Sequence, residues 1–483
     1  MNAAAQDPRR WKALILICTA IFVVVLDIAI VNVALPSIGA DLHFAERNLQ
    51  WVITAYGLTY GGFLLLGGRA SDLIGRRIMF MIGLALFGAA SLVCGLSSSE
   101  AMLIVARGVQ GLGAAIVTPA ALSIISVTFT EGSERNKALG AWGAVGGSGA
   151  AAGVLMGGVL TKYLGWEWIF WVNVPVAAIV LILTPIYVRE SRREDIVHDY
   201  DLPGAISVTG GLIVLVYAIS QAPVVGWGTF RTIGLLVLAG AALTFFLIWE
   251  WREDEPLMPL DIFRIRLVAA ANAVGFLLAG GMYGTFLLLT LYMQQVLHLS
   301  VLQTGVAFLA TAGTAVVMAG PAQALTTRLG AKPVMVTGMA LLVAGCLWYT
   351  QISPDGSYPV DLLPGFLAVG VGIPFAFIPV TIAALAGVTH EKAGLASGLI
   401  NTSQQVGGAI GTAVLSTVAF THAKTLLQHG EAPGVATTSG FVWGFWVAAG
   451  IWAAGLVASI VFVRREEVAQ AGAEAAELPV SQA

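Results

Sequence analysis

Long apolar segments recur along the whole 483-residue chain, and short polar stretches separate them. Fourteen of these segments approach the roughly 20 mostly apolar residues that a helix needs to cross a bilayer. Their predicted limits are 13–38, 49–68, 78–97, 101–127, 136–161, 167–187, 204–222, 231–251, 268–296, 302–326, 332–352, 360–387, 393–421 and 440–463. The pattern predicts an all-α polytopic membrane protein.

Composition excludes a soluble protein of this length. Hydrophobic residues make up 58% of the chain and charged residues 11%, and mean hydropathy is +0.86. Soluble domains carry about 25% charged residues. We expect the chain to reside in the cell membrane with the lipid bilayer as its solvent.

The distribution of basic residues predicts the orientation. With a cytoplasmic N-terminus, 19 of the 24 Lys and Arg residues fall in inner segments and four in outer ones, while Arg107 lies within a span. Cytoplasmic loops of membrane proteins carry such an excess of positive charge. Both termini are therefore predicted to be cytoplasmic, and the first span is predicted to be retained because it is too long for a signal-peptide core.

Two charged connections, 189–201 and 252–266, are predicted to be solvated loops, and they divide the spans into groups of six, two and six. Weak internal similarity relates the two groups of six: "IGRR" (74–77) corresponds to "LGAK" (329–332), and glycine and proline positions of the fourth span recur in the twelfth. The recurring residues are Gly111, Gly113 and Pro119 in one and Gly370, Gly372 and Pro379 in the other. Such repeats are typical of secondary transporters.

The predicted domain organisation follows from this division. It consists of a cytoplasmic N-terminus (1–12), a six-helix bundle (13–188), linkers with two additional helices (189–267), a second six-helix bundle (268–463) and a cytoplasmic tail (464–483).

An acidic residue, Asp27, interrupts the apolar run "VVVLDIAIVNVALP" (23–36) of the first span. An aspartate at mid-helix costs roughly 2.5–3.5 kcal/mol on insertion scales, so it requires a partner or a function. With a helix that starts inside near Ala13, Asp27 lies about 21 Å up the helix, roughly 9 Å below the outer face of a 30 Å core.

A basic residue is predicted at the same depth. Arg107, in "RGVQGLGAA" (107–115), lies about 9 Å below the outer face, since its helix enters from outside near Ala101. Gln110 shares its helical face. An arginine favours the charged form of a nearby carboxylate, whereas burial favours the neutral form. A group balanced in this way suits proton coupling; a permanent ion pair that joins two helices is the alternative.

Three further segments carry unusual residues for their position. The inner loop "GRASDLIGRR" (68–77) places Asp72 before a helix it can cap, the fifth span "GAVGGSGAAAGVLMGG" (143–158) repeats glycine every three or four residues, and "NTSQQ" (401–405) is too polar to face lipid. Glycine faces allow close helix packing, which can be static or can permit sliding. The tryptophan-rich segment "WEWIFWVNVP" (166–175) is interpreted as an aromatic belt at the outer interface.

Several chemistries have no support in the sequence. The three cysteines lie in apolar spans, the six histidines lack metal-ligand spacing, and the chain has no G-x-x-x-x-G-K-[ST] phosphate loop. We therefore expect no cofactor, no metal, no nucleic-acid partner and no enzymatic activity.

Together these motifs resemble the major facilitator superfamily, in particular its fourteen-helix drug:proton antiporter branch, over nearly the whole chain. "LDIAIVNVALP" (26–36) resembles the branch's first-helix motif. The loop signature of the superfamily matches Gly68, Asp72, Gly75, Arg76 and Arg77; the fourth-helix motif matches Arg107, Gln110, Gly111 and Gly113; the antiporter motif matches Gly149, Gly153, Gly157 and Gly158.

The resemblance implies a role for each motif. Asp27 would bind the exchanged proton and Arg107, with Gln110, would tune it. Asp72 and its arginines would form an inner latch between the two bundles, and the glycine-rich helix would bend in a way that favours export.

Two positions depart from the family pattern. Val154 stands where the antiporter motif usually has proline, and Thr327 stands where the second-half loop would have aspartate. The first weakens the prediction of export, and the second predicts that only the first-half latch is strong. No second membrane carboxylate is found, which argues against selectivity for doubly charged cations.

The sequence thus predicts a proton-coupled exporter of lipophilic drugs or antibiotics that works by alternating access. A proton-linked importer, or an exporter of one specific metabolite, is the nearest alternative, and an intramembrane enzyme is a remote one. The protein is expected to be a monomer, and dependence on a periplasmic adaptor is left open. Candidate cavity residues are Asn32, Tyr56, Tyr60, Tyr283, Asn401, Gln404 and Gln405.

Overall fold

The computed structural model describes residues 9–129, 133–191, 201–253, 256, 258, 260–385 and 393–463. The predicted tail (464–483) and residues 1–8 of the predicted N-terminal segment lie outside them. Within the described residues the regular structure is entirely helical. The helices are α1 (Arg10–Asp41), α2 (Glu46–Leu49), α3 (Trp51–Ile74), α4 (Arg76–Gly95), α5 (Glu100–Thr128), α6 (Ser133–Tyr163), α7 (Trp168–Trp171), α8 (Asn173–Tyr187), α9 (Leu202–Val225), α10 (Phe230–Arg252), α11 (Arg266–Leu291), α12 (Val301–Leu329), α13 (Ala331–Tyr349), α14 (Leu363–Leu385), α15 (Ala393–Gln428) and α16 (Pro433–Phe462).

The predicted spans coincide with these helices. In the part of the chain that the structure describes, twelve helical stretches are long and apolar enough to cross a membrane. The two remaining predicted spans correspond to α3 and α6, which have 24 and 31 residues. The all-helical membrane fold is therefore confirmed.

The helices differ from the predicted spans in several places. The sixth span is divided into α7 and α8 at Val172, and two spans include a π-helical turn, at Tyr292–Val296 and Tyr358–Leu362. α1 extends beyond its apolar run at both ends. Hydropathy detects the apolar core of a helix but not the polar turns that continue it into the interface.

The chain divides into two compact units. The first comprises Met1–Leu257 and His298–Leu309, and the second comprises Met258–Leu297 and Ala310–Ala483. The additional helices α9 and α10 belong to the first unit, and α12 begins in the first and continues in the second. The division into two six-helix bundles with two central helices stays a prediction.

Glycines bring the helices of each unit into close contact. A Cβ at Gly113 in α5 would lie 2.6 Å from the amide nitrogen of Phe87 and 2.9 Å from the carbonyl oxygen of Gly83 in α4. In the second unit a Cβ at Gly372 in α14 would lie 3.0 Å from the carbonyl oxygen of Gly338 in α13. The fourth and twelfth spans thus pack alike, as their glycine pattern predicts.

The same correspondence appears where the sixth helix of each group ends. In the first unit Arg9 and Arg77 donate to the carbonyl oxygens of Ile186 and Val188, at 3.2 and 3.3 Å. In the second, Arg266 and Lys332 donate to those of Val461 and Ile460, at 3.4 and 2.7 Å. Cations favour the negative carbonyl end of a helix, so both units use basic residues at equivalent positions to cap it.

The additional helices form a hairpin that packs on α3. The carboxylate of Asp201 caps α9 by accepting from the amide of Gly204, and it also accepts from the indole nitrogen of Trp249 in α10, each at 2.8 Å. The Thr209 side chain of α9 lies directly against Gly62 of α3. α10 is mostly exposed, which suits contact with lipid.

Candidate functional site

An ion pair lies in the interior of the first unit. Nη1 of Arg107 in α5 is 2.5 Å from Oδ2 of Asp27 in α1, and the two side chains are 1% and 0% exposed. The sequence predicts that these two residues lie at one depth, and the structure brings them into contact. An isolated buried charge is strongly unfavourable, so each group makes the other tolerable there.

Amide side chains complete the hydrogen bonding of the carboxylate. Oδ1 of Asp27 accepts from Nε2 of Gln110 and from Nδ2 of Asn173, both at 2.8 Å. Gln110 also donates to Ser91 at 2.7 Å, and its Oε1 accepts from Arg107 at 2.5 Å. Asp27 is thus held by three donors from two helices, α5 and α8.

Aromatic faces and a backbone carbonyl surround the guanidinium. Cζ of Arg107 lies 4.4 Å from the ring centroid of Tyr56 and 5.6 Å from that of Phe170, and its Nε donates to the carbonyl oxygen of Val52 at 2.8 Å. Stacking on a ring stabilises a desolvated cation. Tyr56, a predicted cavity residue, is 2% exposed and packs on Arg107.

Sequence reasoning identified three of these polar residues and missed two. Ser91 and Asn173 are fully buried among the same groups. Asn173 lies at the end of the segment interpreted as an aromatic belt, and an amide in an apolar span was the available signal. Ser91 gives no such signal, because buried serines are common in membrane helices.

The glycine-rich helix α6 packs along α1 beside the ion pair. A Cβ at Gly153 would lie 2.7 Å from the carbonyl oxygen of Leu26, and those at Gly149 and Gly157 would lie 3.2 and 2.8 Å from the carbonyl oxygens of Phe22 and Ile30. These glycines, four residues apart, share one face. Gly158 faces Leu302 instead, and Val154, at the usual proline position, lies in a continuous helix.

This contact predicts the effect of a larger residue. Gly153→Leu should destabilise the protein by about 1–3 kcal/mol, because overpacking displaces α1 next to Asp27. Gly240→Leu in α10 is the matched control, since nothing lies within 4 Å of a Cβ there. Thermal unfolding of the purified variants in detergent measures both; equal melting temperatures would contradict close α1–α6 packing.

The predicted latch loop joins α3 to α4 through Gly75, whose φ of 132° lies in a region that favours glycine. Glu190 follows α8 and accepts from the backbone amides of Arg77 and Ile78 at 3.0 and 3.1 Å. It also pairs with the Arg77 guanidinium at 3.6 Å. A carboxylate at a helix N-terminus is favourable, so this acid, expected to lie in a merely solvated connection, caps α4.

The structure also places Gly68 and the backbone of Arg76. Gly68 makes an ordinary contact with Pro119 at 3.5 Å, and the amide of Arg76 donates to the carbonyl oxygen of Ser191 at 3.0 Å. The side chain of Asp72 lies outside the described residues, so its predicted latch and capping roles stay predictions.

The candidate cavity residues are distributed over both units. In the first, Asn32 donates to the carbonyl oxygen of Ile28 at 3.0 Å, and Tyr60 donates to Thr118 at 3.1 Å. In the second, Tyr283 packs on Gly408, Gln404 and Gln405 are 9% and 8% exposed, and Asn401 is half-buried. Their role in a cavity stays a prediction.

Residues that could hold a metal do not cluster in the described chain. The three cysteines are free thiols. Cys94 lies beside the site, with Sγ 3.7 Å from Oε1 of Gln110.

Similarity to known proteins agrees with this architecture. The family model described as Major Facilitator Superfamily matches residues 17–412. The chain is 42% identical over 453 residues to the puromycin resistance protein of Streptomyces alboniger, which covers 92% of this chain and 90% of that protein. It is 38% identical over 409 residues to the cephamycin export protein of Amycolatopsis lactamdurans, which covers 84% of each.

Solved structures are similar at the level of the fold. A POT family transporter in complex with a thioalcohol-conjugated peptide superimposes with a TM-score of 0.67 at 13% identity, over 94% of this chain and 97% of that one. Extent and identity of these matches, together with the helical fold, lead to one conclusion: the chain is a membrane transporter that belongs to the major facilitator superfamily.

Proposed function

We propose that this protein is a proton-driven exporter of lipophilic drugs or antibiotics, with Asp27 as the proton-binding group. The observation that carries the proposal is the fully buried Asp27–Arg107 pair, whose carboxylate is held by three donors. Ionisable groups inside a membrane protein are functional by default. Relatives named for puromycin resistance and cephamycin export support the substrate class.

In the proposed cycle, a proton entering from outside neutralises Asp27 and weakens its pairing with Arg107. The change in this contact favours a rearrangement between α1 and α5, and substrate is released outward. Each charge that moves through 100 mV supplies about 2.3 kcal/mol, which supports close to a fifty-fold gradient. Cytoplasmic termini, the inner latch around Asp72 and a monomeric state are parts of the same proposal.

The nearest alternative is a proton-linked importer of the same fold, which Val154 keeps open. Direction of transport separates the two. Overexpression in a pump-deficient host should lower accumulation of at least one dye or antibiotic from a broad panel that includes puromycin, and a protonophore should abolish the difference. The empty vector is the control. Raised accumulation would indicate an importer, and no change across the panel would contradict drug export.

A further inference from the structure

The amide of Asn173 lies between two polar side chains of the buried site. Its Nδ2 donates to Oδ1 of Asp27 at 2.8 Å and lies 3.4 Å from Oγ of Ser91. Two acceptors on one side fix the amide orientation, because an amide oxygen placed there would face the carboxylate. Asn173 and Ser91 are both fully buried.

Oδ1 of Asn173 has no hydrogen-bond partner among the described groups, although it is buried. Gln110, the other amide on Asp27, differs in this respect, since its nitrogen donates twice and its oxygen accepts from Arg107. A buried unsatisfied acceptor costs free energy and calls for an explanation. Of the two amides on the carboxylate, Asn173 is therefore the one that can rotate without losing a bond to its oxygen.

We propose that Asn173 is a positioning residue that turns its amide according to the protonation state of Asp27, an inference that rests on the proposed function. Charged Asp27 needs donors, and Asn173 supplies Nδ2. Neutral Asp27 carries an O–H that needs an acceptor, and a half-turn of the amide about its Cβ–Cγ bond supplies Oδ1. In either orientation one polar atom of the amide has no hydrogen bond. The protonation state of Asp27 therefore decides which of the two orientations is more stable.

The proton balance of this step is simple. One proton from solution forms an O–H bond at Oδ1 of Asp27, and that O–H donates to Oδ1 of Asn173. Oδ1 of Asp27 still accepts from Gln110, and Oδ2 still faces Arg107. The amide rotation breaks only hydrogen bonds. It couples the protonation of Asp27 in α1 to the side-chain orientation of Asn173 in α8.

The charged and titratable groups around Asp27 come from three helices: Arg107 from α5, Cys94 from α4 and Tyr56 from α3. In the described residues α6, α7 and α8 contribute glycine, aromatic and amide groups.

The test compares pH profiles of transport in proteoliposomes. Asn173→Leu removes both a charge-assisted bond to charged Asp27 and a neutral bond to protonated Asp27; the former is the stronger. The pH at which proton-driven efflux is half-maximal should therefore rise by about half to one unit. Asn272→Leu is the matched control: this buried amide of α11 bonds Val268 and Ser403, so its loss should leave the pH profile in place.

Two further measurements address folding and amide rotation. Asn173→Ala removes the amide without inserting bulk, so if the leucine variant does not accumulate this variant should show the same upward shift, and an unchanged profile in it would overturn the role of Asn173. In infrared difference spectra, the C=O band of protonated Asp27, identified by its loss in Asp27→Asn, should shift in Asn173→Leu. An unchanged profile or an unchanged band in a folded leucine variant overturns the role of Asn173. Full proton-driven efflux by Asp27→Asn overturns the proposed function instead.

Discussion

Asp27→Asn is expected to lower proton-driven efflux by at least about 100-fold. The protein should still insert and fold, because Arg107 keeps its bonds to Val52 and Gln110 and its contact with the ring of Tyr56. Asparagine is isosteric with aspartate and keeps an oxygen for Gln110 and Asn173 to bond, but it cannot take up a proton. The expected factor corresponds to roughly 2.7 kcal/mol of lost coupling, within the range for allosteric free energies. Inverted membrane vesicles with an imposed proton gradient measure the effect directly.

Asp41→Asn is the matched control for this experiment. Asp41 is the last residue of the same helix, and its carboxylate accepts from the indole nitrogen of Trp166 at 2.9 Å, away from Arg107. Loss of efflux in Asp27→Asn but not in Asp41→Asn supports a specific role for the buried acid. Undiminished proton-driven transport by Asp27→Asn would leave the pair as a structural tie between α1 and α5.

Arg107→Leu is expected to be the most destabilising of the substitutions considered, by about 3–5 kcal/mol, because it leaves a buried carboxylate without its counter-charge. It also removes the donor to the carbonyl oxygen of Val52 and the cation against Tyr56. Thermal unfolding in detergent should show the loss, and the variant should not couple efflux to protons.

A double-mutant cycle separates loss of pairing from loss of packing. Combining Arg107→Leu with Asp27→Leu removes both charges. The double variant should therefore lose less stability than the sum of the losses in the two single variants. Simple additivity of the two effects would mean that the ion pair contributes little, and the cost would then lie in the packing around Tyr56 and Phe170.

The site was partly predictable from sequence because the depth of a residue in the membrane follows from its position along its helix. Counting residues along two helices placed Asp27 and Arg107 at one level, and helical spacing placed Gln110 on the same face. The count contains nothing about rotation of a helix around its axis. The segment that contains Asn173 is predicted to be an interfacial belt and Tyr56 is predicted to line a cavity, and neither prediction shows that both side chains lie against the ion pair.

The inner loop likewise has a partner that the sequence does not reveal. Gly75 and the two arginines after it were evident in the sequence, but their acidic partner was not. Glu190 is more than 100 residues away and was read as part of a solvated connection, yet it caps α4. A capping carboxylate from a distant segment has no local sequence signature, unlike one that lies within a few residues of the cap.

By itself the sequence determined that this chain is a bundle of membrane helices with closely packed glycine faces, since apolar length and glycine spacing are properties of single segments. It also determined that a carboxylate and a guanidinium share one depth. The tertiary structure alone decided that they touch, and that Ser91 and Asn173 complete their hydrogen bonds. The physical reason is that the bilayer fixes each residue's height, whereas packing between helices fixes the direction in which its side chain points.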